Sequence, residues 1–87
     1  MEGRIVFINH SRGMYCVELT DGSYSVFELL DINDINQDDI IQGRLDELGS
    51  CTLYNQTAGQ RFDAFIEDTG SSLLNSQSDL INTSFKF

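Results

Sequence analysis

Proline and tryptophan are absent from the chain, and histidine occurs once, at His10. Without proline, nothing removes a backbone N–H from a β-ladder, so every candidate strand can pair on both sides. A single histidine leaves no His cluster for a metal and no base beside a recognisable Ser or Cys nucleophile, which argues against an enzyme. The glycines are single turn residues rather than a phosphate-binding loop. Bases are scarce: Arg4, Arg12, Arg44, Arg61 and Lys86 stand singly against fourteen acids, for a net charge of −9. Affinity for a phosphate backbone comes largely from clustered Lys and Arg, so general nucleic-acid binding is expected to be poor. No apolar run approaches the roughly 18 residues needed to span a bilayer. The N-terminal MEGRIVFINH lacks the basic-then-apolar order of a secretory signal. The expectation is a soluble cytoplasmic protein with no cofactor and no membrane association.

Two cysteines, Cys16 and Cys51, have no CxxC pairing and are expected as separate buried thiols rather than a disulfide. The 87 residues make one domain at most, with six Phe to fill its core.

The residues that are present read as strands. RIVFIN (4–9) is β-branched and aromatic, Ser11-Arg12-Gly13 supplies a turn, and MYCVEL (14–19) is a second strand. Asp21-Gly22 has the chemistry of a two-residue type I′ hairpin turn, and SYSVFELL (23–30) follows as a third strand. DINDINQDD (31–39) is an acidic connector. IIQGRL (40–45) reads as strand, and CTLYNQ (51–56) with RFDAFIE (61–67) as a second hairpin around Ala58-Gly59. In that last segment Phe62, Ala64 and Ile66 alternate with Asp63, Phe65 and Glu67, the pattern of a strand with one wet face. Counted as a three-stranded meander and a later hairpin, this is an all-β, five-stranded OB-type barrel over residues 1–69. Residues 70–87 are an appended segment, either a short helix capped by Ser71 or Ser72 or a tail.

Several short motifs in the first thirty residues resemble the cold-shock domain. Gly3 leads through a strand to Phe7-Ile8-Asn9, where that family has Trp-Phe-Asn. Arg12-Gly13-Met14-Tyr15-Cys16-Val17 matches its first ribonucleoprotein motif, Lys-Gly-Phe-Gly-Phe-Ile. Val26-Phe27-Glu28-Leu29-Leu30 falls on its second, Val-Phe-Val-His-Phe. The second half matches only in outline, through Ile41-Gln42-Gly43 and a last strand ending near Glu67. The resemblance implies a barrel whose surface stacks single-stranded bases, with Phe7, Phe27 and Arg12 as the positions carried over. Met14, Cys16, Leu29 and Leu30 replace aromatic or His residues, and Tyr15 stands where the family has Gly. Each missing ring costs roughly 1–3 kcal/mol of binding, so the resemblance points to a re-used scaffold.

The substitutes are apolar, which suggests a face kept for hydrophobic contact. The expected binding surface is Phe7, Arg12, Met14, Tyr15, Cys16, Phe27 and Leu29. Asp31, Asp34, Asp38 and Asp39 are an expected acidic surface for a basic partner. Asp34-x-Asn36-x-Asp38 opens like an EF-hand loop, but Asp39 stands at the sixth position, where Gly is required, and Leu45 at the twelfth, where Glu is required, so no metal is expected. The reading is a non-catalytic module acting through a protein partner or a dimer mate, with 70–87 packed on the barrel in its own subunit or in that mate. The alternative is a weak or selective single-strand binder.

Overall fold

The computed structural model describes residues 1–71, and they form a closed β-barrel of six strands: β1 (Glu2–Asn9), β2 (Met14–Leu19), β3 (Tyr24–Leu29), β4 (Ile40–Gln42), β5 (Gly49–Asn55) and β6 (Gln60–Ser71). Neighbours around the barrel run β1-β2-β3-β6-β5-β4 and return to β1, and every ladder is antiparallel. The all-β barrel expected from the sequence is there, with six strands in place of five. The difference is β4: the 40–45 segment, read as strand but not counted among the five, enters the barrel as a strand of its own, shortened to Ile40–Gln42. Its three residues pair with β1 on one side (Gly3 opposite Ile41) and with β5 on the other (Ile41 opposite Asn55), so it closes the barrel instead of leading into the hairpin. Among the described residues no helix is long and apolar enough to cross a membrane. The expected C-terminal helix or tail lies, from residue 72 onward, outside the described residues.

The β2–β3 turn departs from the type I′ expectation. Gly22 has φ 87°, but Asp21 is not among the positive-φ residues. Leu19 donates its N–H to the Ser23 carbonyl and Gly22 its N–H to the Leu19 carbonyl. This is a three-residue loop in which a left-handed Gly follows a tight turn. Asp21 accepts from the Ser23 N–H at 2.9 Å and from its hydroxyl at 2.6 Å. That side-chain acceptance holds the loop without asking Asp21 for a left-handed backbone.

Alternation around the barrel selects the core. Ile5, Tyr15, Val17, Leu19, Phe27, Leu53, Phe62, Ala64 and Ile66 turn inward and are buried. Ile35 and Leu45 join them from the two long connectors. Ile35 therefore turns part of the acidic segment into core, and burying such a side chain stabilises by about 1.5–3 kcal/mol. Gly3 lies on β1 opposite Leu19 of β2, with no room for a side chain. A Cβ there would collide with Val17 Cγ1 and lie 2.8 Å from the Glu18 carbonyl oxygen.

One bulge controls which residues of β1 face out. Register passes from Ile5 opposite Val17 to Phe7 opposite Cys16, leaving Val6 as the extra residue. Beyond it Phe7 lies outward and Ile8, opposite Tyr15, packs on the core.

Candidate functional site

Seven residues were expected to share a binding surface, and the barrel divides them. Tyr15 and Phe27 belong to the core, at 4% and 0% exposure. Their rings stack with centroids 5.3 Å apart, and Phe27 meets Phe62 at 5.6 Å. Neither ring faces a ligand, which removes Phe27 as a base-stacking position. Leu29 is half-buried against the same core. Arg12 is exposed in the turn after β1, where its N–H donates to the Asn9 carbonyl. Met14 and Cys16 do lie on the outer face, with Val26 beside them and Phe7, Val6 and Tyr24 packed against them. Met14, Cys16 and Val26 are nonetheless at most 1% exposed. The two cysteines are reduced thiols, Cys16 buried and Cys51 half-buried.

The four expected acidic residues also differ from one another. Asp31, Asp34 and Asp38 are exposed, but Asp39 is buried at 7%. One oxygen of the Asp39 carboxylate accepts from the Asn36 N–H at 2.9 Å and from Asn55 Nδ2 at 2.8 Å. Asn55, itself 1% exposed, accepts in turn from the Ala58 N–H. Asp39 is thus a structural clasp between the connector and the β5–β6 turn and does not contribute to an outer acidic surface. Asp31 accepts from the Asp63 N–H at 2.8 Å and so ties the connector to β6. Asp38, with a left-handed backbone at φ 70°, takes Arg4 Nη1 at 2.6 Å. The other Arg4 nitrogen reaches Glu18 at 3.2 Å, which also accepts from the Tyr24 hydroxyl. The hydrogen bonds to Glu18 and Asp38 raise the Arg4 pKa further. Arg44 pairs with Glu47 at 3.0 Å. These cations are already neutralised by carboxylates of their own chain. Among the described residues no group of three His, Cys, Asp or Glu side chains is placed to hold a metal ion.

A different face has both apolar and acidic groups in the open. Leu30, Ser50, Cys51, Thr52 and Asp63 line a shallow depression of about 380 Å³. It adjoins a smaller one of about 220 Å³ lined by Arg44, Glu47, Leu48, Ser50 and Cys51. Leu30 is 49% exposed and Leu48 67%. Phe65 is 38% exposed, between Glu28 on β3 and Ser50 on β5. Thr52 donates its hydroxyl to Asp63 at 3.1 Å, which fixes that carboxylate on the rim. Burial, and then the nearby Glu47 charge, push the Cys51 thiol up from its usual range. It stays protonated at neutral pH and is a poor nucleophile. Sequence reasoning did not single out this face. Its signal was Phe65, a large ring in the wet phase of the β6 alternation.

No family model, curated protein or solved structure matches the chain.

Proposed function

We propose that the chain is a non-catalytic acidic binding module, and that its ligand is a protein segment carrying apolar side chains beside Lys or Arg. The observation behind this reading is the outer β3–β6–β5 face, where Leu30, Phe65 and Leu48 are exposed among Glu28, Asp63 and Glu47. Apolar side chains give such a contact its burial energy. Carboxylates on the rim steer a cationic partner and reject anionic ones. The net charge of −9 extends that selection over the whole molecule. A six-stranded closed barrel beginning with a three-strand meander is compatible with an OB-like scaffold, and kinship with cold-shock domains is part of the proposal. The inward stack of Tyr15 and Phe27 and the pairing of Arg4 and Arg44 with carboxylates of their own chain speak against base stacking and phosphate binding.

Titration of the labelled protein with Lys/Arg-rich amphipathic peptides, followed by NMR, tests the reading. Shifts should concentrate at Leu30, Thr52 and Phe65, weaken with added salt, and be lost in a Leu30→Ser/Phe65→Ser variant. Shifts scattered over the barrel would overturn it. So would single-stranded oligonucleotides bound at micromolar concentration at physiological salt.

A further inference from the structure

Phe62 and Phe65 lie in opposite phases of β6, so one ring enters the core and the other, 38% exposed, faces out. The ladders on both sides fix what surrounds that outer ring. Glu28 of β3 stands directly opposite Phe65 on one side and Ser50 of β5 on the other. Asp63, two residues earlier on β6, shares the face. Thr52 of β5 is opposite it, and Leu30, whose N–H donates to the Asp63 carbonyl, is on its other side. The outward side chains therefore form two rows, Glu28–Phe65–Ser50 and Leu30–Asp63–Thr52. Phe65 is flanked by two carboxylates: between backbone positions, Glu28 is about 5 Å away across the ladder and Asp63 about 7 Å away along the strand.

Both carboxylates remain open to a ligand. Asp63 accepts from the Thr52 hydroxyl at Oδ1, and its Oδ2 accepts from no described residue. Glu28 takes no hydrogen bond or ion pair among the described residues. Arg61, the next outward residue of β6, makes no ion pair with Asp63, so the position is not filled from within. We infer that this face seats one arginine side chain of the partner segment, its guanidinium laid on the Phe65 ring and its N–H groups directed to Glu28 and Asp63. The inference rests on the function proposed above and names the cation its ligand presents there. The face of an aromatic ring attracts a cation placed over it. A guanidinium is planar, so it lies flat on the ring while its donors point outward, in its own plane, to carboxylates on two sides. A lysine ammonium is a compact, strongly hydrated point charge that cannot cover the ring and serve both acids at once. Leu30 and the depression beside Asp63 receive the arginine's apolar neighbour. A second copy of the chain, with its charge of −9, meets repulsion on approach. The occupant is therefore a cationic segment of another protein.

Calorimetry on the full chain with two synthetic peptides tests the inference. The peptides are identical, with leucines between the cations, except that every cation is arginine in one and lysine in the other. The arginine peptide should bind at least about tenfold more tightly. Phe65→Leu keeps an apolar side chain but removes the ring face, and it should bring the two affinities within about threefold of each other. Glu28→Gln and Asp63→Asn should each weaken the arginine peptide more than the lysine peptide, because only the arginine engages both acids. Equal binding of the two peptides to the parent overturns the inference and leaves the proposed function standing. An arginine preference that survives Phe65→Leu, with both peptides weakened alike, overturns it as well. Failure of both peptides to bind overturns the inference and the proposed function together.

Discussion

Tyr15 and Phe27 face each other across the β2–β3 ladder and stack inside the barrel, with ring planes 16° from parallel. Residues whose spacing suggested an outer, ligand-facing role are instead the centre of the core. Phe27→Ala should therefore cost about 3–5 kcal/mol in urea unfolding. For a domain whose whole stability is about 5–15 kcal/mol, that leaves the variant marginal. A loss below about 1 kcal/mol would mean the ring is not in the core.

Tyr15 also gives the barrel an alkaline limit. Burial, followed by the Asp34 charge, raises its pKa above the ordinary tyrosine value of 10.0. In the unfolded chain the phenol ionises from about pH 10, while the folded state still holds its proton. The stabilisation is complete below that pH and is lost as pH rises through the folded-state pKa. Tyr24 and Cys51 are raised as well, but they act equally in a Tyr15→Phe variant. Melting temperatures measured from pH 8 to 11 should fall more steeply above about pH 10 for the parent than for Tyr15→Phe. Parallel curves would count against it.

Asn55→Ala tests the clasp on Asp39. It leaves the buried carboxylate with the Asn36 N–H as its remaining partner of the two and removes the acceptor of the Ala58 N–H. The expected loss is about 1–3 kcal/mol, and amide exchange at Ala58 and Asn36 should quicken before the rest of the barrel opens. Uniform quickening would show that the clasp has no local role.

Calcium should leave the protein unchanged. Asp38, the third ligand of the D-x-N-x-D spacing, is 2.6 Å from Arg4, and a cation there must displace that guanidinium. Melts in calcium and in chelator are expected to superimpose. A rise of several degrees in calcium would place a metal in the connector, because a ligand bound to the native state alone stabilises it.

The strands were readable because turn chemistry and apolar runs bound them: Gly13, Gly22 and Gly59 each sit at a strand connection with positive φ. Facing was not readable. MYCVEL is apolar in both phases, Met14 and Cys16 in one, Tyr15, Val17 and Leu19 in the other, and the barrel buries both. A period-2 pattern identifies the inner face only where the other face is wet, as on β6. The bulge at Val6 added to this, since one extra residue reverses the facing of everything after it. The 40–45 segment was legible as a strand, but its shortening to Ile40–Gln42 and its closing role between β1 and β5 were not, because both depend on partners distant in sequence. Ile35 was hidden because a single apolar residue in an acidic connector has no periodicity to reveal it. The β3–β6–β5 face needed three segments brought together, and only Phe65 marked it locally.

The way the barrel closes also governs how fast it forms. The β1–β2–β3 meander assembles from neighbours in sequence. Its two outer edges must then find distant strands: Gln42 reaches Glu2 across 40 residues, and Thr69 reaches Ser25 across 44. Each closure gives up chain entropy before any ladder rewards it. Folding should therefore be slow for so small a chain, in the range of milliseconds to seconds usual for β-barrels. The rate-limiting event is expected to be the joining of β6 to β3 and of β4 to β1, so substitutions along those two seams should slow folding more than equally destabilising ones within the meander.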